Sequence, residues 1–262
     1  MPHCTVNNIK MYYQESGSGE PMVLLHGLGS CAQDWHYQIA YFSKRYRVIS
    51  IDCRGHGLTE KPDGKYTIPL FAQDISQLLT LLNIKNYHLV GFSMGGMIAF
   101  QLSVDQPENI KTLTIINSAP AIPYNTIAMK LTVWMRLAII NILGLPRLGN
   151  VIAKKLFPKS DQQHLKKQYL YSLMMMTKSA YIRSLRSFLG WSVMEKLHRL
   201  TMPVLVITGD KDYTPVQDKV DYSQKIQRAK LVIIPDSYHA TPLDQPTLLN
   251  LEIKQFIVEH TR

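Results

Sequence analysis

The stretch Gly91-Phe92-Ser93-Met94-Gly95-Gly96 decides how this chain is read. It follows a short apolar run at 87–91 (YHLVG) and opens a helical pattern over 94–105. In a strand–turn–helix setting, G-x-S-x-G makes a sharp turn that lifts the serine oxygen above a sheet. Backbones crowd at such a turn, so Gly91 and Gly95 stand where a side chain has no room. Met94 then starts the helix, and its N–H is free to face a developing negative charge. Ser93 is the candidate nucleophile.

On both sides of this stretch the sequence alternates strand and helix signals. The runs 21–25 (PMVLL), 46–51 (YRVISI), 112–117 (TLTIIN), 204–208 (VLVIT) and 231–234 (LVII) are short and apolar on both faces, the pattern of buried parallel strands. A strand at 10–14 pairs with a shorter one before it through Asn7-Asn8. Helical patterns are read at 34–43, 68–82, 217–227 and 243–259. The 68–82 helix carries Phe71, Ile75, Leu78, Leu79 and Leu82 on one stripe. This order predicts an α/β fold with a mostly parallel sheet. Residues 123–199 carry no strand signal and read as several helices. Because strands resume afterwards, the expected organisation is a core over 1–122 and 200–262 interrupted by a helical insertion at 123–199.

The 262 residues are 46% hydrophobic and 18% charged, which excludes a disordered chain. Three cysteines, Cys4, Cys31 and Cys53, make neither a disulfide framework nor a zinc-ligand spacing. The N-terminus lacks a basic stretch followed by an apolar one, so the expected compartment is reducing and cytoplasmic. The longest apolar stretch, 128–145, is interrupted by Lys130 and Arg136, so no spanning helix is expected.

A serine hydroxyl needs a base, and the base needs an orienting acid. His239 lies just beyond the last strand, and both Asp210 and Asp212 follow the strand before it. Catalytic groups collect beyond the carboxyl ends of parallel strands, and the order Ser, Asp, His suits this architecture. His26 and His56 also end strands, but each precedes a glycine in a loop and is given a structural role.

Taken together, these segments resemble the α/β-hydrolase fold superfamily, in its small serine esterase-like branch with a helical cap. His26-Gly27-Leu28-Gly29 resembles the family's oxyanion loop, which implies Leu28 N–H as the second oxyanion donor beside Met94 N–H. Residues 52–59 (DCRGHGLT) are similar to its D-x-R-G-x-G-x-S/T loop. Gly209-Asp210-Lys211-Asp212 is similar to its acid loop and favours Asp212. His239 followed by Asp244-Gln245-Pro246 resembles its histidine loop. Related epoxide hydrolases and haloalkane dehalogenases carry Asp where this chain has Ser93. The resemblance thus implies ester hydrolysis through an acyl-enzyme, with neither metal nor organic cofactor. A carrier-protein-linked methyl esterase, a menaquinone-pathway-type lyase and a ligand receptor are the competing readings.

The net charge of +10 is concentrated in the insertion. Residues 121–200 hold thirteen Lys or Arg against Asp161 and Glu195, while the remainder is nearly balanced. With no nucleic-acid motif present, the expected partner is an acidic acyl carrier protein or an anionic membrane surface. Lys154, Lys155, Lys166, Lys167, Arg183 and Arg186 are candidates for that patch. The apolar segment 127–140 and the methionines Met174–Met176 are read as helix packing, an acyl-chain pocket or a membrane-facing cap.

Overall fold

A computed structural model describes residues 2–261, the side chain of Ala128 aside. The ends of the expected core segments, Met1 and Arg262, and the Ala128 side chain of the apolar segment lie outside the described residues.

The hairpin β1 (His3–Val6) and β2 (Ile9–Ser16) turns at Asn7 and Asn8. Both take positive φ, 46° and 61°, as a two-residue turn matched to strand twist requires. The other strands are β3 (Glu20–Leu25), β4 (Tyr46–Ile51), β5 (Tyr87–Phe92), β6 (Ile110–Ile116), β7 (Val204–Gly209) and β8 (Ala229–Ile234). They form one eight-stranded sheet in the order β1-β2-β4-β3-β5-β6-β7-β8. All neighbours from β4 through β8 are parallel, and β2 joins β4 antiparallel. Met22 to Leu25 and the whole of β7 are buried, which is why these runs are apolar without alternation.

Helices cover both faces. α1 (His36–Phe42) follows a 3-10 turn at Ala32–Trp35, a tighter start than the single helix expected at 34–43. α2 (Ile68–Leu81) is capped by Thr67, whose side chain accepts from Leu70 N–H. α2 and α3 (Met94–Asp105) pack on one face with Phe71, Ile75, Leu78, Ile98 and Phe100 buried among the strand side chains. Each such side chain, fully buried, contributes about 1.5–3 kcal/mol. On the other face Trp35 and Phe42 meet Leu249, Ile253 and Phe256.

The insertion contains α4 (Ile127–Leu156), α5 (Gln163–Met174) and α6 (Lys178–Ser187). Its two stems run side by side: Ala121 bridges Ser192, and Ile122 N–H donates to Trp191 O. Its apolar cluster, with Leu148, Phe157, Leu173 and Leu185, closes onto Ala240 and Leu243 of the core. Lys159 also fastens it there, 2.7 Å from Asp236. The region is a helical cap over the carboxyl ends of the strands.

Three further expectations change. Met129–Leu156 of α4 is long and apolar enough to cross a membrane by length and composition, where no such helix was expected. Non-helical Gly144 (φ 79°) and Pro146 break it into two arms, and Val133, Ile140, Leu145 and Leu148 are buried against the protein. The helix expected at 217–227 is α7 (Val216–Ser223), whose end tightens when Lys225 and Ile226 N–H donate to Tyr222 O and Ser223 O. The helix expected at 243–259 is split into α8 (Thr241–Asp244) and α9 (Pro246–His260), because Pro246 has no N–H to continue the ladder.

Candidate active site

β5 delivers Ser93 to the start of α3 with φ 53° and ψ −116°, a strained conformation for a residue with a side chain. The turn is enforced by its neighbours. A Cβ on Gly91 would sit 2.4 Å from Gly95 O, and one on Gly95 would sit 2.1 Å from Leu25 O. Both positions therefore require glycine.

His239 reaches this serine. Its Nε2 lies 3.0 Å from Ser93 Oγ, and its Nδ1 lies 2.8 Å from Asp212 Oδ1. With Nδ1–H donating to the carboxylate, Nε2 is left to accept from the hydroxyl. Asp210 points elsewhere and accepts from Ser237 N–H at 3.0 Å. Geometry thus separates the two acids: Asp212 meets the histidine and Asp210 organises the turn beside it.

Asp212 is buried, which alone would raise its carboxyl pKa. The His239 bond and charge, the Lys219 ammonium and the Thr214 hydroxyl outweigh burial and hold it well below the usual range. Lys219, on α7, lies 3.1 Å from Asp212 Oδ2, and its ammonium also bonds Thr214 Oγ1. Asn117, at the end of β6, joins the two loops. Its Nδ2 donates to His239 O at 2.5 Å and Thr241 Oγ1 at 2.7 Å, while its Oδ1 accepts from Gly209 N–H at 2.9 Å.

The loop of His26, Gly27, Leu28 and Gly29 passes directly beside Ser93. A Cβ on Gly27 would stand 3.2 Å from the Ser93 Cβ, and Gly29 takes φ 81°. His26 holds the loop from below. Its Nδ1–H donates to Gly27 O at 2.8 Å and its Nε2 accepts from Cys53 N–H at 3.0 Å. Burial lowers its pKa, so it stays neutral in this role. His56 is buried against Phe71 and bonds Arg54 O. Neither histidine hydrogen-bonds to Ser93. Leu28 and Met94 line the same cavity as Ser93, and Met94, as the first residue of α3, has no intrahelical acceptor for its N–H.

That cavity has a volume of about 610 Å³ and lies between core and cap. Met129, Val133, Ile152 and Leu156 of α4 line it, together with Leu185 and Phe188. Met174, Met175 and Met176 do not line it. Burial, followed by Asp34 and Asp52, pushes the Cys31 thiol up to about 12, and burial likewise raises Cys53. Neither thiol competes with Ser93 as a nucleophile. Among the described residues no group of three or more His, Cys, Asp or Glu is placed to hold a metal ion.

Four residues of this site were not singled out in the sequence: Lys219, Asn117, Tyr213 and Arg136. Tyr213 stacks on the His239 ring at 4.1 Å between centroids. Asn117 ends the TIIN run at φ 45°, and a strand-ending Asn in that conformation was the one available signal.

Of the basic residues proposed for a patch, Arg183 is engaged by Asp63 at 2.6 Å. Lys154, Lys155, Lys167 and Arg186 are exposed and Lys166 is half-buried.

Residues 20–246 match the family described as alpha/beta hydrolase fold. The chain is similar to the (E)-2-((N-methylformamido)methylene)succinate hydrolase of Acinetobacter baylyi, at 27% identity over 96% of this chain and 95% of that one. It is similar to 3-oxoadipate enol-lactonase 2 of the same organism, at 27% identity over 94% and 92%. Among solved structures it resembles the enol-lactonase of Burkholderia xenovorans LB400, with a TM-score of 0.89, 24% identity, and coverage of 98% and 100%.

Proposed function

The chain belongs to the alpha/beta hydrolase fold family and is a hydrolase, and on that premise we propose that it cleaves carboxylic esters through a serine acyl-enzyme. The carrying observation is the hydrogen-bonded line Asp212–His239–Ser93, with Ser93 on a strained turn facing the capped cavity. His239 Nε2 takes the Ser93 proton as Oγ attacks the ester carbonyl. Leu28 and Met94 N–H groups hold the oxyanion, and Asp212 stabilises the imidazolium. The C–O bond then breaks, and His239 returns the proton to the departing alcohol. A water, deprotonated by His239, attacks the acyl-enzyme; the acid leaves and Ser93 regains its proton. The relatives named for hydrolase and lactonase activities support a hydrolytic outcome over a lyase one. The mainly apolar cavity supports a substrate with an apolar body.

The test is hydrolysis of p-nitrophenyl esters from acetyl to palmitoyl. Activity is expected with a chain-length optimum, and Ser93→Ala is expected to lower kcat by roughly four to six orders of magnitude. Folded protein that hydrolyses none of them, and whose Ser93 is not labelled by a fluorophosphonate, would remove this reading.

We also propose that the outer face of α4 rests on an anionic lipid surface. Ile127, Trp134 and Ile142 are 86%, 65% and 79% exposed, more apolar side chain than a soluble helix needs to leave in water. This favours a membrane over an acyl carrier protein as the partner of the basic cap.

A further inference from the structure

The cavity above Ser93 contains a cation with no counter-ion. Arg136 rises from the first arm of α4, is half-buried, and lines the same cavity as Ser93 and His239. No ion pair or hydrogen bond engages it among the described residues. Its electrostatic neighbours are the phenols Tyr169, Tyr181 and Tyr213. Guanidinium does not deprotonate in proteins, so the charge cannot be discarded by losing a proton.

Two acids line the cavity and neither answers this charge. Asp34 is already occupied, accepting from Ser30 Oγ at 2.6 Å, Ser172 Oγ at 2.9 Å and Gln168 Nε2 at 3.0 Å. Asp218 is an exposed residue of α7. Lys219, the other cation of the cavity wall, is neutralised by Asp212.

A second, independent group in the wall of the same cavity is left unsatisfied. Tyr181 is 1% exposed, lines the cavity, and its hydroxyl has no hydrogen-bond partner. A buried hydroxyl without a partner is uncommon and costly. Arg136 and Tyr181 thus put a guanidinium and an unpaired phenolic O–H in the wall of one cavity, donors that a carboxylate accepts, with Arg supplying a two-pronged contact. Tyr213 also lines this cavity and stacks on His239.

We propose that Arg136 and Tyr181 form a carboxylate subsite, so that the substrate is an ester or lactone carrying a free carboxylate separated from the scissile carbonyl by an apolar spacer. The inference rests on the ester-hydrolase reading and narrows its substrate class. The carboxylate belongs to the acyl part or to the alcohol part; the chemistry recognised is the same.

The test compares rates within matched pairs. Mono-p-nitrophenyl adipate is set against p-nitrophenyl hexanoate, and 4-carboxyphenyl butyrate against phenyl butyrate. For at least one pair, wild-type kcat/KM is expected to favour the anionic member by about 10–100-fold, the worth of a charge-assisted hydrogen bond. That ratio should collapse towards unity in Arg136→Met, shrink in Tyr181→Phe, and be partly restored in Arg136→Lys. The pair that shows the preference identifies which side carries the carboxylate. No preference in either pair, or the same ratio in all variants, overturns the subsite. Titration of folded Ser93→Ala protein with monomethyl adipate keeps the inference separate from the hydrolase reading. Saturable binding that Arg136→Met abolishes supports the subsite even if no ester is turned over, and equal binding by both proteins overturns it even if esters are.

Discussion

Lys219 and Asp212 form a buried ion pair, 3.1 Å apart, with side chains 1% and 0% exposed, directly behind the histidine that meets Ser93. Removing one member of such a pair leaves an uncompensated buried charge. Lys219→Met should therefore destabilise the protein by about 3–5 kcal/mol. Urea denaturation of Lys219→Met, Asp212→Asn and the double variant measures it. The double variant should cost clearly less than the sum of the singles. Additive costs would mean that the two side chains do not interact energetically.

The same carboxylate makes stability depend on pH. Its folded pKa lies below that of an unfolded Asp, about 3.9. Its stabilising contribution is thus complete above the unfolded value and is lost as pH falls through the folded one. Wild-type stability should decline on acidification below about pH 4, and Asp212→Asn should decline less steeply. Denaturation midpoints between pH 3 and 6 provide the comparison; parallel curves would contradict the assignment.

Ser93 is held at φ 53° and ψ −116° by the crowded glycines around it, so the fold bears strain at its reactive residue. Glycine adopts positive φ without a Cβ penalty, which alanine cannot. Ser93→Gly should exceed Ser93→Ala in stability by about 1 kcal/mol, with both inactive. Thermal or urea midpoints of the two variants are the readout, and equal midpoints would show that the turn stores no strain.

Much of this site was legible because its chemistry sits at strand ends. The run YHLVG followed by G-F-S-M-G-G places Ser93, and the runs VLVIT and LVII place Asp212 and His239 beyond neighbouring strands. What remained hidden depends on packing between distant segments. Lys219 lies on a short polar helix and reads as a solvated charge until α7 folds beneath the acid loop. Arg136 reads as an interruption of an apolar run, and only the folding of the cap over Ser93 places it in the cavity wall. Pro246 splits a helix that reads as continuous, because the apolar spacing of Leu243, Leu249, Ile253 and Ile257 runs across it.

Asn117 is a positioning residue, since it touches the backbones of both loops and no reacting atom. Asn117→Ala should lower kcat by about 10–100-fold while changing KM little, as expected when a base is misplaced rather than removed. Asn117→Asp should not restore it, because a carboxylate oxygen would face His239 O, where only the amide N–H can donate. A purely structural role would instead lower the amount of folded enzyme and leave the turnover of each folded, titratable Ser93 unchanged.

The outer face of α4 yields the last prediction. Ile127, Leu131, Trp134 and Ile142 recur at helical spacing and are all exposed, with Lys130 beside them. Apolar side chains flanked by cations lie at a bilayer surface with their tips in the acyl region, and anionic headgroups strengthen the contact. The protein should sediment with phosphatidylglycerol-rich vesicles, less with phosphatidylcholine alone, and less again at high salt. The double variant Trp134→Glu, Ile142→Glu should stay in the supernatant yet keep its activity on soluble p-nitrophenyl esters, because neither side chain lines the cavity. Wild-type protein that stays in the supernatant with both vesicle types would leave the exposed stripe without a lipid role and return the basic cap to a protein partner.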